Sequence, residues 1–470
     1  MGLISAFNAA RSGMSTSSRW AETVSTNIAN ANNASYARRE TQITTTGQGA
    51  AQVSEITRAV DSALDALYRT EAGRTSKQDA IATGLETYTS LLGDTESTDT
   101  VLTRLTDFQN SLSLLAVAPA DTALQRATVG DAQELAQALN RAGNNLSAAR
   151  DSAEETIASD VAAVNSSLAK ISDLSERLAS PTQSAEAQLS LRDELGAELD
   201  ALSEKMDFTT RTDAQGRIEL FTSGGTALIT GGEVEPLSFD PDTGMLSAGG
   251  VDITPGVPGK RGISEGSLSG QIALFNTVLP EMEAQLDEVA RALIEGMVDA
   301  DASLAPGDAG LFTDAGAALT IPFAPGLASR IAVNDDVVPE NGGALWRIRD
   351  GLGAVTAGAA GDNTQVTAFV DALNGAMTFD GNLGLGEEMS LSSYVSTLIA
   401  SQNTTRANAE TSAESLAAGA IAVQSSRLSF MGVNVDDELQ QLTLIQQSYG
   451  ANAQALSTVS EMIDTLLAAV

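Results

Sequence analysis

Residues 436–470 read DDELQQLTLIQQSYGANAQALSTVSEMIDTLLAAV, and their spacing decides the fold. Leu439, Leu442, Gln446, Tyr449, Ala453, Leu456, Ser460, Ile463, Leu467 and Val470 recur at steps of three and four, the signature of a helix with one contact seam. A second seam overlaps it at Ile445, Tyr449, Asn452, Leu456, Val459, Ile463 and Leu466. Two adjacent seams predict a helix that touches more than one neighbour. Asp436, Asp437 and Glu438 open it, where negative charge suits the helix dipole. About 30 residues beyond that start, at 1.5 Å rise each, make a rod of roughly 45 Å.

The other end of the chain mirrors this one. Leu3, Phe7, Ala10, Met14, Ser17, Ala21, Val24 and Ile28 keep a 4-3 spacing. The run Asn30 to Ser35 breaks that helix, and Tyr36 opens an extended stretch that includes Thr41 to Thr46. Ends of chains are commonly frayed and polar. Here they carry seams, which predicts burial between subunits.

Between the ends the pattern changes twice. A seam from Val60 through Leu64, Leu67, Ile81 and Leu85 has the polar members Glu71, Arg74 and Gln78 at its middle, and predicts a helix interrupted or exposed near Gly73. Leu102 to Leu115 predicts a short helix ended by Pro119. Asp121 to Leu178 predicts a long one stopped by Pro181, and Leu189 to Met206 a returning one. From Asp207 to Ile263 glycine pairs divide the strand candidates Arg217–Phe221 and Ala227–Thr230, and Asp240 to Gly244 reads as a turn. Helix resumes at Gly270 with Ile272, Phe275, Leu279, Met282, Leu286, Val289, Leu293 and Met297 inward. A strand at 329–333, a helix at 365–377 and a long helix from Leu391 to Phe430 follow. The fold class expected is mainly α: long helices with terminal coiled-coil rods, a helical bundle body and a small inserted β domain. The boundaries expected are 1–50 and 431–470 for the terminal rods, 51–206 and 264–430 for the body, and 207–263 for the β insert.

Composition narrows the chemistry. The 470 residues carry a net charge of −35, which disfavours nucleic acid and anionic membrane surfaces as partners. The absence of Cys and His removes disulfides, thiolate sites and the commonest general base and zinc ligand. No stretch approaches the roughly 18–20 apolar residues of a membrane span, so no membrane insertion is expected. Met1 to Asn30 lacks the basic start and apolar core of a signal peptide, so if the protein leaves the cell, no cleaved leader is expected. Ser167-Leu168-Ala169-Lys170 matches an S-x-x-K pattern, but its partner motifs are missing. Gly351-Leu352-Gly353 has no following G-K-[ST]. Asp335-Asp336 and Glu387-Glu388 lack EF-hand spacing. No enzyme activity, cofactor or metal is expected.

Read as strings, both ends resemble the flagellar axial protein family. Asn27-Ile28-Ala29-Asn30 followed by Tyr36-Ala37-Arg38-Arg39 is similar to that family's SNNIAN…TPGYSRQ box, with Asn33-Ala34-Ser35 where the family has Thr-Pro-Gly. The run from Gln446 to Leu467 is similar to its QQAYQANARVISTVDEMFDTLL. Inside the chain, Val164-Asn165 with Ile171 to Leu174, the segment Leu189-Ser190-Leu191-Arg192-Asp193-Glu194-Leu195, and Gly266 to Phe275 resemble helices of the members that join hook to filament.

The resemblance implies a structural adaptor in the bacterial flagellum, at the hook–filament junction and outside the cell. It implies self-association in a helical axial assembly, with hook protein, hook-associated protein 3 and a cytoplasmic export chaperone as partners, and type III export. The interface residues are Leu3, Phe7, Ala10, Met14, Val24, Asn27, Ile28, Asn30 and Tyr36 at one end. At the other they are Leu439, Leu442, Ile445, Tyr449, Asn452, Leu456, Val459, Ile463 and Leu466. The alternatives are another axial protein, hook-like or flagellin-like, and a helical signalling module.

Overall fold

A computed structural model describes residues 2–47, 49–92 and 100–468, with side chains omitted at 87 and 89–92. Val470, placed above on a seam, lies outside the described residues. The fold is mainly α, with small antiparallel sheets.

Helix α1 (Leu3–Ala29) leads through a turn into a hairpin of β1 (Arg39–Thr45) and β2 (Ala51–Arg58). Helices α2 (Ser62–Leu92), α3 (Val101–Val117), α4 (Thr122–Ala179) and α5 (Ala185–Lys205) follow. Their starts are capped as the side chains dictate. Thr100 accepts from the Thr103 amide, Asp121 from the Ala123 and Leu124 amides, and Ser184 from the Ala187 amide. Leu105, Phe108, Leu112 and Leu115 are buried as the spacing predicts, as are Val164, Leu168, Ile171 and Leu174 on α4.

Seven short strands come next: β3 (Phe208–Thr212), β4 (Ile218–Thr222), β5 (Ala227–Thr230) and β6 (Glu233–Val234) form one sheet, and β7 (Leu237–Asp240), β8 (Met245–Ala248) and β9 (Val251–Asp252) another. Polar side chains dock this insert on α4. The Asn165 amide spans both backbone groups of Leu237, giving to its carbonyl at 2.9 Å and accepting from its N–H at 2.7 Å. Ser172 donates to the Gly232 carbonyl, and Ser175 accepts from the Ile218 amide. These sites lie seven and three residues apart, on one face of the helix.

Helix α6 (Ser267–Ala273) runs through a π-helical turn at Leu274–Val278 into α7 (Leu279–Ala300). The turn aims Asn276, whose amide donates to the Gly244 carbonyl at 2.8 Å and so ties the predicted Asp240–Gly244 turn to the body. Beyond lie β10 (Phe312–Asp314), α8 (Leu327–Arg330), β11 (Ile331–Val333), α9 (Arg347–Asp350), α10 (Thr364–Asn374), β12 (Met377–Thr378) and β13 (Glu388–Met389). The chain closes with α11 (Leu391–Met431), packed along α2, and α12 (Val435–Ala468), packed along α1.

Four expectations need correction. Helix α2 runs through Gly73 without a break. Gly73 is buried, because a Cβ there would stand 2.9 Å from the Ser203 carbonyl oxygen. Its own carbonyl accepts from the amide of Gly266. Gly266 sits at φ +94°, and a side chain there would collide with the Lys205 carbonyl. A glycine that brings backbones together thus passed for a helix breaker. Second, Ala51–Arg58, read as the start of the helical body, is a strand paired with β1 across the expected boundary at residue 50. Third, the 329–333 segment is a helical turn before a three-residue strand. Fourth, the helix at 365–377 stops at Asn374, and Met377 is in β12.

Two hydrophobic clusters fill the interior. One joins α3, the first half of α4, α7 and the start of α11; the other joins the second half of α4, α5, the β insert and α6. Neither takes a buried residue from α1, the hairpin or α12.

Candidate assembly interface

The α1–α12 pair is antiparallel. Asn27 meets Glu438 near one end, and fourteen residues along each helix Gly13 meets Asn452. A Cβ on Gly13 would lie 2.7 Å from the Asn452 side chain, so the α1 backbone comes close to that residue there. The inward line of α12 is Glu438, Ile445, Asn452 and Val459, every seventh residue, as two helices in mutual contact require.

Asn27 anchors the pair. It is 1% exposed, and all its amide groups are used. Nδ2 donates to the Arg39 carbonyl at 2.9 Å and to Glu438 Oε1 at 3.1 Å. Oδ1 accepts from the Tyr36 hydroxyl at 2.7 Å and the Arg39 amide at 3.0 Å. One side chain thereby joins the end of α1, the start of β1 and the first turn of α12. Burial pushes the Tyr36 hydroxyl up to about 12, against the pull of the Arg39 guanidinium, whose carbon lies 5.2 Å from the ring centroid. Burial also raises the Glu438 carboxyl above its ordinary range, opposed by the Asn27 hydrogen bond and Arg38. Its Oε2 is buried with no hydrogen-bond partner among the described residues.

The turn before Tyr36 shows how Asn33-Ala34-Ser35 replaces Thr-Pro-Gly. The Tyr36 amide donates to the Asn33 carbonyl at 3.1 Å, and the Ser35 amide to Asn33 Oδ1 at 3.1 Å. Asn33 uses its side chain to hold a turn that proline and glycine set by backbone preference. Asn30 does local work only: its amide donates to the Thr26 carbonyl one turn back.

The remaining interface candidates divide by face. Ala10, Val24 and Ile445 are buried; Leu3, Phe7, Met14, Ile28, Leu442, Asn452, Leu456, Val459 and Ile463 are half-buried. Leu439, Tyr449 and Leu466 are exposed. Leu444, Met462 and Leu467 are exposed as well, and the six are spread around α12 rather than gathered on one face. Glu438, Arg39 and Gly13 escaped the sequence reading. A signal existed for Glu438: one heptad before Ile445 falls on it.

Residues flagged for other chemistry have structural partners. Ser167 and Lys170 both reach Glu198 of α5, at 3.2 and 3.0 Å. The Gly351–Gly353 loop is pinned by Asp301, which accepts from the Leu352 amide, and by Ser303, which accepts from the Gly353 amide. Among the described residues no group of three or more His, Cys, Asp or Glu side chains is placed to hold a metal ion, and no helix is long and apolar enough to cross a membrane.

Residues 85–303 match the model of the flagellar hook-associated protein FlgK helical domain, and residues 424–469 that of the flagellar basal body rod FlgEFG protein C-terminal region. Over residues 85–303, a little under half of the chain, the likeness is to the flagellar hook-associated protein 1 family. The helical-domain match covers α3 to α7 with the β insert, and the rod match covers α12. Among solved structures the flagellar hook junction protein FlgK from Burkholderia pseudomallei is similar, at 23% identity and a TM-score of 0.44. That likeness covers 53% of this chain and 46% of the other, so the chain is matched to less than half of its relative's length. No curated protein matches the chain.

Proposed function

We propose that the protein is a structural adaptor that joins hook to filament and polymerises through α1 and α12. One observation carries this reading: the α1–α12 pair is closed by a polar clamp at Asn27 while large apolar side chains around α12 stay uncovered. A helix with Leu439, Leu444, Tyr449, Met462, Leu466 and Leu467 facing water leaves that surface for neighbouring subunits. Hook protein on one side, hook-associated protein 3 on the other and further copies of this chain are its partners in the assembly. An export chaperone covers these α12 side chains before secretion, which proceeds through the type III apparatus. The protein works by mechanics and catalyses no reaction.

We divide the chain by these contacts. The terminal unit holds α1, the hairpin and α12. Its border falls at 59–61 rather than at 50, because β2 pairs with β1 and lies against α1. The body runs from α2 to α11, and residues 207–263 form the insert. Electron microscopy of cells lacking the protein tests the junction role. Hooks without filaments, with flagellin shed into the medium, are expected; filaments of normal length would overturn it.

A further inference from the structure

The terminal unit and the body are joined covalently at only two places, residues 59–61 and Gly432–Asn434. Polar contacts attach them further. The Arg38 amide donates to the Met431 carbonyl at 2.8 Å. Helix α5 supplies the rest. Its core side carries Leu191, Leu195, Leu199 and Leu202. Toward the joint it presents Asp193 and Asp200, two helical turns and about 10.5 Å apart along the axis.

Asp193 takes Arg58 of the hairpin at 2.7 Å, with Arg39 at 3.8 Å. Arg39 also donates to Ser190 at 3.1 Å. Asp200 takes Arg69 of α2 and Arg427 of α11, both at 2.7 Å. Arg427 in turn reaches Asp65 at 2.6 Å. These charges surround a cavity of about 150 Å³, with Gly196 on its wall between the two carboxylates. The space is polar and large enough for water.

Such a joint responds to displacement unlike a packed core. A gap of 0.5–1 Å forfeits roughly a quarter to a half of a van der Waals contact. Coulomb attraction falls as 1/r, so opening one of these 2.7 Å pairs by about 1 Å still keeps about three quarters of it. Fixed counter-charges on one helix can hold two partners while letting them shift. We propose that α5 is a sliding charge clasp: Asp193 holds the terminal unit, Asp200 holds the α2–α11 rod, and the angle between them changes without unfolding either. A part set between two structures of different stiffness gains a compliant element in this way, and the device stands whether or not the junction role does.

The chain has no cysteine, so paired labels report its geometry cleanly. Gln52→Cys with Glu155→Cys spans hairpin and body; Thr106→Cys with Glu155→Cys stays within the body. Spin-label distance distributions are measured on the full chain at 50 mM and 1 M NaCl, and in Asp193→Ala and Asp193→Asn backgrounds, with circular dichroism alongside. The expected result is a hairpin–body distribution at least twice as broad at high salt and in both variants, with helix content and the body pair unchanged. Equal widths under all conditions would overturn the clasp. Equal broadening of the body pair, or loss of helix content in both variants, would also overturn it, by making Asp193 part of the folding core.

Discussion

Asn27 and Glu438 lie 411 residues apart in the chain and 3.1 Å apart in space. The contact is the only point at which a buried side chain of α1 bonds a buried side chain of α12 among the described residues. Another close approach, Asn452 against Gly13, is a packing contact. Asn27→Ala would strand the Tyr36 hydroxyl, Glu438 Oε1 and both Arg39 backbone groups. A buried polar group left unpaired costs about 1–3 kcal/mol. The expected outcome is lost amide protection at the end of α1 and the start of α12, with the thermal transition of the body unchanged. Unaltered hydrogen exchange over residues 24–40 and 436–446 would refute the clamp.

The same pair predicts a dependence on pH. Burial raises the Glu438 carboxyl, and the Asn27 bond and Arg38 only partly offset this. The folded chain therefore binds this proton more tightly than the unfolded chain. Such a group supports the fold fully below its unfolded value, and that support is lost as pH rises through the raised folded value. Protection of the first turns of α12, corrected for intrinsic exchange, should be higher at pH 4 than at pH 7. Glu438→Gln should flatten the difference. Protection that grows with pH would show the carboxylate to be the favoured form.

Free subunits should hold α1 and α12 loosely. Ala10, Val24 and Ile445 are the only buried apolar side chains on the two helices. Ordering costs about 1–2 kcal/mol of backbone entropy per residue, and a fully buried large side chain returns about 1.5–3 kcal/mol. Three buried side chains, one of them a large aliphatic and one an alanine, cannot cover two long helices. Amides from 446 to 468 should exchange quickly in dilute subunits and slowly in polymer. Slow exchange in both states would place the helices in the subunit's own core.

The parts of the structure visible in the sequence are those set by spacing. The seams of α3, α4 and α7 specify burial because every third or fourth residue is apolar, and the structure follows. Tertiary packing of backbones left no such mark. Gly73 could be a breaker or a contact, and only the Ser203 carbonyl beside it decides. The strand β2 alternates poorly, since its burial is irregular and its pairing bulges opposite Gln42–Ile43. In the interface, Asn27 and Tyr36 were legible through the terminal box. Glu438 was hidden because carboxylates are rarely fully buried, so its place among three acidic residues pointed to a solvated helix start.

Two glycines separate those alternatives experimentally. Gly73→Ala forces a Cβ to 2.9 Å from the Ser203 carbonyl and should destabilise the body by about 1–3 kcal/mol, as overpacking does. Gly196→Ala lies in mid-helix with only Arg58 Nη2 within reach, at 3.9 Å. It should stabilise by about 0.5–1 kcal/mol, since alanine loses less backbone entropy. Urea unfolding followed by circular dichroism reads both. A neutral Gly73→Ala would mean that α2 and α5 have slack where they cross.

Leu456→Glu should abolish filament attachment while leaving the body folded. Leu456 belongs to both seams of α12, and in the single subunit it is only half-buried. The exposed half is what a neighbouring subunit would cover, alongside Val459 and Ile463. Burying an unpaired carboxylate costs several kcal/mol, and the cost recurs in every subunit of the assembly. The two hydrophobic clusters take no residue from α12, so the body melt should not move. Gln454→Glu is the control, because Gln454 is exposed and lies off both seams. Swimming, thermal melting and secretion are measured for each variant. Normal motility with Leu456→Glu would remove α12 from the assembly interface, whereas a collapsed melt would assign the seam to the interior of the subunit itself.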